Sequence, residues 1–339
     1  MGRNKSLWRL LPLTGIMALI LAGCGDDHLS ALKPKGTVAK EQLSLITISL
    51  GVMIFVFLVV MAIYIYVLFR YRKRPGDTSI PKQVEGNHLL EIIWTIIPIF
   101  LLLVIAVPTI FYTFKHSKDY RDDPEAIHIN VTSHQFWWQF EYLDKDKKVV
   151  INTAEDLVIP VNKRVVFELS SVDVNHSFWV PSLAGKIDTN AGSNKNTMYI
   201  VAEEPGTYKG RCAELCGPSH ALMDFKVKAM EQADYDAWYS KMTTPKTVAA
   251  DVQSGQEIFK DNCMACHATD ATGQGFGPNL NNIADREKLA GVLDNNEESL
   301  KEWIANPSAK KPGVKMPAFQ DQLDDNQMGD LVKYLQTLK

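Results

Sequence analysis

Apolar residues are concentrated in the first third of the chain. A short apolar run occupies residues 10–22, and two longer runs without charge follow it, residues 43–69 and 92–114. Each longer run exceeds the roughly 20 residues that a helix needs to cross the hydrocarbon core of a bilayer, whereas the short run does not reach that length. The pattern therefore predicts two membrane-spanning helices.

Beyond the second apolar run the pattern changes to short β-rich segments. Residues 234–242 are predicted to be helical, residues 243–247 read as a linker, and the chain after a boundary near Ala250 is polar and largely helical in pattern. The β-rich segments are separated by turn signals, which is typical of a β-sandwich or barrel. Examples of these segments are residues 165–169, 196–200 and 224–227.

The start of the chain has the order of an export signal. Arg3, Lys5 and Arg9 lie before or at the start of the short apolar run, which leads into Ala22-Gly23-Cys24. A cysteine directly after small residues resembles the lipobox of bacterial lipoproteins, which implies cleavage after residue 23 and a diacylglycerol on Cys24. An ordinary signal peptide with a chance cysteine is the alternative, and a further membrane helix is disfavoured by the length of the run.

The loop between the two predicted helices is basic. By the positive-inside rule this loop is cytoplasmic, so both ends of the hairpin and everything after about residue 115 are extracytoplasmic. Glu91 lies at the cytoplasmic start of the second helix, where the helix dipole favours a carboxylate. The basic residues of the loop are Arg70, Arg72, Lys73, Arg74 and Lys82.

Charge and cysteine usage narrow the choice of function. The net charge of −3 gives no sign of the basic patch that nucleic-acid-binding proteins show. The five cysteines form three groups along the chain, a single cysteine followed by two pairs. An odd number in an exported chain leaves at least one cysteine without a disulfide partner. We therefore expect roles other than disulfide bonding.

The first pair of cysteines lies in a segment rich in soft metal ligands. Cys212 and Cys216 are followed by His220 and Met223, and His176 lies upstream. Two thiolates, two imidazoles and a thioether suit copper, and a second cysteine allows two sulfurs to bridge two copper ions. A disulfide between the two cysteines or a zinc site is the alternative. Neither alternative needs the methionine.

This segment resembles the binuclear copper (CuA) loop of subunit II of haem-copper cytochrome c oxidases. The resemblance covers roughly residues 40–240 and implies a two-helix transmembrane hairpin followed by a cupredoxin-like β-sandwich. It also implies copper ligation by five side chains and one backbone carbonyl. These ligands are His176, Cys212, Glu214 (through its carbonyl), Cys216, His220 and Met223.

The same resemblance assigns roles at the border with subunit I. The side chain of Glu214 would face a magnesium or manganese ion shared with subunit I, and Asp173 falls where the family has an acidic residue near that border. Glu91 falls at the mouth of a proton-uptake channel of subunit I. Phe136 stands where the family often has a tryptophan, at the surface where soluble cytochrome c delivers electrons.

The second pair of cysteines forms Cys263-Met-Ala-Cys266-His267, the attachment signature of haem c. The two thiols would form thioethers with the haem, and His267 would ligate the iron. A redox disulfide or half of a zinc site is the alternative. No cysteine follows Cys266 to complete a zinc site.

The sixth iron ligand is expected further along the chain. Met328 lies in a helical pattern, where methionine usually packs, whereas Met316 precedes Pro317 in an irregular segment. Met316 is therefore the predicted ligand, and His/Met ligation raises the reduction potential of a haem. With Gly277-Pro278 after the motif, the segment resembles class I cytochromes c, which implies an all-α domain. Its 14 acidic and nine basic residues could steer a basic donor.

A copper subunit with a fused haem domain resembles the caa-type oxidases of bacteria. The expected route runs from a cytochrome donor (c-type or a cytochrome bc complex) to the haem, the copper pair and then haem in subunit I, where oxygen is reduced and protons are pumped. Subunit III is a further expected partner. We expect a multi-pass, lipid-anchored cell-membrane protein. Its expected segments are 1–23 (signal peptide), 24–118 (anchor and helices), 119–245 (copper domain) and 250–339 (cytochrome c domain).

Two alternative functions share these features. One is the electron-input subunit of a copper-containing nitric oxide reductase, and the other is a non-catalytic membrane-bound electron carrier. A carrier needs one anchor, whereas a lipid and two helices indicate packing against a membrane partner. A quinol oxidase subunit is disfavoured, because such subunits lack the copper cysteines.

Overall fold

The computed structural model describes residues 12, 14–17, 25–76, 78, 80, 83–245 and 250–339. Within these residues the chain forms two long helices, a β-sandwich and a helical C-terminal domain, which confirms the predicted fold class. The helices are α1 (Thr37–Arg70), α2 (His88–His116), α3 (Gln232–Thr243), α4 (Gln253–Asn262), α5 (Glu297–Ala305), α6 (Pro307–Lys310) and α7 (Asp325–Leu335).

Two of the described helices, α1 and α2, are long and apolar enough to cross a membrane, with mean hydropathies of 3.0 and 2.7 in their most apolar windows. Both extend beyond the apolar runs that predicted them. Helix α2 begins after Asn87, whose side chain accepts a hydrogen bond from the Leu90 N–H at 3.1 Å. That cap satisfies a backbone donor that has no partner within the helix.

The first turn of α1 is buried in the β-sandwich rather than in the membrane segment. Val38 and Ala39 are 5% and 3% exposed. A Cβ on Gly36, just before the helix, would lie 2.7 Å from the Leu183 carbonyl oxygen, so a larger residue would collide with backbone there. The sandwich is therefore fixed directly to the first membrane helix without a flexible connection.

Ten strands in residues 127–230 form two five-stranded sheets. Their orders are β3-β2-β1-β5-β8 and β4-β10-β9-β6-β7, with β1/β5 and β4/β10 parallel and the other neighbours antiparallel. Alternate residues of β2 and β10 are buried, as expected where one face of a sheet covers a core. The strands are β1 (Ile127–His134), β2 (Trp137–Leu143), β3 (Val149–Ala154), β4 (Asp156–Pro160), β5 (Val165–Ser171), β6 (His176–Trp179), β7 (Ile187–Thr189), β8 (Asn196–Ile200), β9 (Gly206–Cys212) and β10 (Asp224–Met230).

Aromatic side chains fill the space between the two sheets. Phe178 and Phe225 stack with ring centroids 4.7 Å apart, and Trp138 meets both rings at 5.5 and 5.3 Å. All three are almost fully buried. Large aromatic side chains supply much of the burial in a core of this size. The indole N–H of Trp138 also donates to the Met223 carbonyl at 3.4 Å, which ties the core to the loop after β9.

The C-terminal domain is built around the crossing of α4 and α7. A Cβ on Gly255 would lie 2.1 Å from the Asp330 carbonyl oxygen, so the two helices are in backbone contact at this point. Phe259 and Tyr334 pack beside the crossing with ring centroids 5.5 Å apart. A two-residue ladder, β11 (Lys288–Leu289) with β12 (Leu293–Asp294), is a small addition to the helical pattern.

The C-terminal domain packs against the sandwich, which the sequence pattern did not predict. The contacts include backbone, side-chain and ionic interactions at several points of the surface. They are Asn152 N–H to Ala271 O at 2.6 Å, Asn152 Nδ2 to Gly273 O at 2.7 Å, Ser219 Oγ to Pro312 O at 2.6 Å, and the ion pairs Lys226–Glu287 and Lys241–Asp285, both at 2.5 Å.

Two glycines of the C-terminal domain give a matched test of the helix crossing. Gly255→Ala should destabilise the domain by about 1–3 kcal/mol, because the added methyl group collides with backbone. Gly329→Ala, at a position in α7 with open space around it, should stabilise the domain by up to about 1 kcal/mol through helix propensity. Thermal unfolding followed by circular dichroism compares the two, and equal effects would contradict the close crossing.

Candidate metal centre and haem site

Five potential metal ligands of the sandwich lie side by side. The sulfur atoms of Cys212 and Cys216 are 3.8 Å apart and both cysteines are free, so the predicted disulfide alternative is not formed. His176 Nδ1 lies 3.8 Å from the Cys212 sulfur, and His220 Nδ1 lies 3.6 Å from the Cys216 sulfur. The Met223 sulfur is 3.9 Å from that of Cys216. The structure brings together all five side chains predicted to bind copper.

The sheet that contains β9, β10 and β6 explains this convergence. Cys212 ends β9 and Met223 immediately precedes β10, so the loop between two antiparallel neighbours must return to its starting point. The Cys212 N–H donates to the Met223 carbonyl at 3.2 Å and closes the loop. His176 starts β6, the other neighbour of β9, which accounts for a ligand 36 residues upstream of the first cysteine.

Polar neighbours fix the orientation of these ligands. Asp173 Oδ1 lies 3.0 Å from His176 Nε2, which leaves Nδ1 directed at the Cys212 sulfur. The Asp173 carboxylate also accepts the Gln135 N–H at 2.8 Å, and Gln135 Nε2 donates to the Cys216 carbonyl at 2.6 Å. A carboxylate behind a histidine is the usual way to orient a metal-binding imidazole.

The pKa shifts of the two thiols indicate that a cation is needed between them. Burial, and then the charge of nearby Cys212, raise the pKa of Cys216. Burial also disfavours the Cys212 thiolate, but its hydrogen bond with His176 lowers the pKa of Cys212 overall. Two thiolates at this distance repel each other unless a cation lies between them. The buried donor set therefore fits a metal ion, and its mixture of sulfur and imidazole fits copper.

Glu214 lies at the edge of this cluster. Its backbone carbonyl oxygen is 3.2 Å from the Cys212 sulfur. Its side chain is exposed and lines an open cleft with Lys186, Asp188 and Asn196. The carbonyl thus lies beside the cysteine cluster while the residue borders the cleft, and both roles implied by the resemblance stay predictions.

The haem-attachment motif follows α4 directly. The His267 N–H donates to the Cys263 carbonyl at 3.0 Å, and His267 Nδ1 donates to the Pro278 carbonyl at 2.7 Å, which leaves Nε2 for an iron ion. A Cβ on Gly277 would lie 2.6 Å from the imidazole ring, and one on Gly275 would lie 2.1 Å from the Cys266 carbonyl oxygen. The glycine-rich loop is therefore packed against the histidine, and the arrangement fits an axial ligand of haem c.

The two methionines further along differ in their surroundings. Met328 is buried in α7 as part of the hydrophobic core of the C-terminal domain, as its helical pattern predicted. Met316 is half-buried in the irregular segment between α6 and α7 and packs at the margin of that core. Met316 is therefore the methionine whose backbone is free of helical constraints.

Two predicted sites lie away from these clusters. Glu91 lies in the first turn of α2 beside His88, whose Nδ1 is 3.6 Å from the Glu91 carboxylate. The described residues thus give it a local role at a capped helix start, and the proton-channel role stays a prediction. Cys24, the predicted lipid attachment site, lies outside the described residues.

The sequence did not indicate several residues that hold the loop of residues 212–223, called the copper loop below. Gln135 and Ser219 make hydrogen bonds that no motif announces. Phe136 is 2% exposed, beneath Gly217 of the copper loop and Gly313 of the C-terminal domain. It belongs to the hydrophobic core of the sandwich, so this position is not the open surface that the resemblance implies. The one sequence feature that could have indicated the role of Gln135 is its position as a polar residue inside an aromatic run.

Three family models match successive parts of the chain. They are described as cytochrome c oxidase subunit II, transmembrane domain (residues 35–111), cytochrome c oxidase subunit II, periplasmic domain (residues 143–230), and cytochrome c (residues 252–339). Together they cover the helices, most of the sandwich and the C-terminal domain in the predicted order.

Relatives match over nearly the whole length. The chain is 48% identical to cytochrome c oxidase subunit 2 of Bacillus sp. (strain PS3), over 99% of both chains. It is 46% identical to the protein of that name from Alkalihalophilus pseudofirmus, over 99% of this chain and 98% of the other. Quinol oxidase subunit 2 of Bacillus spizizenii is 35% identical over 69% of this chain and 74% of that protein. The chain belongs to the cytochrome c oxidase subunit 2 family and carries a C-terminal cytochrome c domain.

Proposed function

We propose that this chain, the electron-input subunit of a membrane-bound cytochrome c oxidase, receives electrons at its haem c, transfers them to a pair of copper ions and passes them to haem in subunit I. Oxygen reduction and proton translocation take place in that partner. The observation that carries the proposal is the packing of the segment containing Met316 on the copper loop, through Pro312 and Ser219.

The copper pair would be held by the six predicted ligands. Four of these residues, His176, Cys212, Cys216 and Met223, are buried. The donors of His176, Cys212 and Cys216 all lie within 4.8 Å of one another. A pair of copper ions held by both cysteines would share the charge of one electron. Hydrogen bonds from Gln135 and to Asp173 keep the protein ligands in place when that charge changes.

The haem would be bonded to Cys263 and Cys266 and ligated by His267 and Met316. The hydrogen bond of His267 to the Pro278 carbonyl fixes the imidazole and raises its basicity as a ligand. A thioether as the second axial ligand raises the reduction potential. Such a potential suits a carrier that delivers electrons to copper.

The membrane part would place these centres outside the cell. Helices α1 and α2 would form the hairpin, with the basic loop between them in the cytoplasm, and a diacylglycerol on Cys24 would add a second attachment. Glu91 would then lie at the cytoplasmic side, at the entrance of a proton channel in subunit I. The Glu214 carboxylate would face a magnesium or manganese ion shared with subunit I.

The partners follow from the same arrangement. Subunit I would lie against the helices and the Glu214 cleft, with subunit III as a further partner, and a c-type cytochrome or a cytochrome bc complex would act as donor to the haem domain. A nitric oxide reductase or a free carrier is not favoured, because the full-length relatives are named as cytochrome c oxidase subunits.

Asp173 tests the copper site. Asp173→Asn should weaken copper binding by roughly 10- to 100-fold, because it removes the charge behind His176. Asp146→Asn, on an exposed turn of the same domain, is the matched control and should leave copper binding unchanged. Copper content after competition with a chelator measures both. Equal copper retention in the two variants would show that Asp173 does not support a metal ligand.

The two methionines test the haem site. Met316→Leu should lower the reduction potential of the haem and sharply reduce turnover with an external donor, since the thioether ligand is lost. Met328→Leu replaces a buried methionine with a side chain of similar volume. It should cost less than about 1.5 kcal/mol of stability and leave the reduction potential of the haem unchanged. Redox titration and oxygen consumption measure the two effects. Unchanged turnover in the Met316 variant would contradict entry through the haem.

A further inference from the structure

A buried lysine lies between the haem domain and the copper domain. Lys311, the residue after α6, is 1% exposed, and its ammonium group donates to the Ala290 carbonyl at 2.7 Å. Burying an ammonium group costs free energy unless an opposite charge compensates it. Its neighbour Lys310 shows the ordinary alternative, an exposed lysine paired with Glu302. The burial of Lys311 therefore points to a specific partner.

The turn that binds the Lys311 ammonium group lies against the copper domain, since a Cβ on Gly291 would be 2.8 Å from the Asp224 carbonyl oxygen. Burial lowers the pKa of Lys311, and the charges that oppose this effect are, in order, Glu155, Asp224 and Cys216, all in the copper domain. Glu155, between β3 and β4, is 6% exposed, and its Oε2 has no hydrogen-bond partner among the described residues. Burial raises its pKa, and the charges that oppose this are Lys311 and then Arg286. The copper domain thus supplies the carboxylates and the haem domain supplies the cations.

The segment that starts at Lys311 contacts the copper loop. The hydroxyl of Ser219, which precedes His220 in the sequence, donates a hydrogen bond to the Pro312 carbonyl at 2.6 Å. A Cβ on Gly313 would lie 3.2 Å from the Phe136 ring. Residues 312–313 therefore lie directly on the copper loop.

The same segment also reaches the second histidine of the copper site. Lys315 Nζ lies 3.5 Å from Asp173 Oδ2, and the other oxygen of that carboxylate is 3.0 Å from His176 Nε2. Met316, the proposed haem ligand, is the next residue. One short segment thus connects the haem ligand to both histidine-bearing parts of the copper site.

We propose that Lys311 is a positioning residue for electron transfer between the two domains. Its ammonium group, bound by the Ala290 carbonyl and with the buried Glu155 carboxylate as its opposing charge, fixes residues 312–316 against the copper loop and keeps the haem domain in one docked position. The copper loop is then covered by the chain's own haem domain, with Phe136 buried beneath it, so a diffusing cytochrome has no access at that position. This inference rests on the proposed function.

The test uses the purified, fully loaded complex and two neighbouring lysines. Lys311→Met keeps the apolar stem but removes the first of the two charges that oppose the burial of Glu155, whereas Lys310→Met is the matched control on the exposed side. The reporter is the Asn152 amide, which donates to Ala271 across the domain boundary. Its hydrogen exchange should become at least about tenfold faster in the Lys311 variant, which corresponds to about 1.4 kcal/mol, and should not change in the Lys310 variant.

Electron transfer and charge compensation complete the test. In Lys311→Met the haem-to-copper rate should fall at least about tenfold with the absorption spectra of both centres unchanged. Adding Glu155→Gln should reverse much of both effects, because the carboxylate that lost Lys311 is then neutral, while Asp156 remains the first charge opposing the burial of Arg286. Unchanged exchange at Asn152 in the Lys311 variant would overturn the proposal. If that variant does not assemble, Glu155→Gln alone should speed the exchange, and no change there would overturn it as well.

The exchange measurement separates this proposal from the proposed function. Failure of haem-to-copper transfer in the unmodified complex would refute the electron route. The exchange at Asn152 would still report whether Lys311 holds the two domains together.

Discussion

The separation of two cysteine sulfurs is the constraint on which the structure depends. Cys212 and Cys216 lie 3.8 Å apart in the interior of the β-sandwich, and both can be thiolates there only with cations bound between them. The loop that carries them is closed by backbone hydrogen bonds and tied to the core by Trp138. Gln135 holds the Cys216 carbonyl from the other side. The ligands are thus arranged by the fold before a metal ion arrives.

Rigid attachment extends from this loop in both directions along the chain. Toward the membrane, the first turn of α1 is buried in the sandwich at Gly36, so the copper domain has no flexible connection to its anchor. Toward the C-terminus, the haem domain is joined by contacts of Asn152, Ser219 and Lys226 rather than by a linker alone. A donor held in this way acts at a fixed distance and a high effective concentration.

Local patterns in the sequence were enough for the elements and for most of the site. Uninterrupted apolar runs predicted α1 and α2, and the predicted metal and haem ligands are clustered within residues 212–223 and 263–267, with His176 and Met316 as the distant exceptions. The domain contacts could not be predicted in this way. Lys310 and Lys311 are alike in the sequence, whereas the structure exposes the first and buries the second. Likewise, the structure alone shows why position 36 must be glycine, because the sandwich backbone leaves no room there for a side chain.

The order of the two redox centres is the central claim, and rapid kinetics on the purified complex tests it most directly. After fast reduction of the haem by a small photochemical donor, the haem should reoxidise as the copper absorption bleaches. The rate should be first-order and independent of the concentration of the complex, because donor and acceptor belong to one docked chain. Copper reduced before the haem, or a rate proportional to the concentration of the complex, would contradict the account.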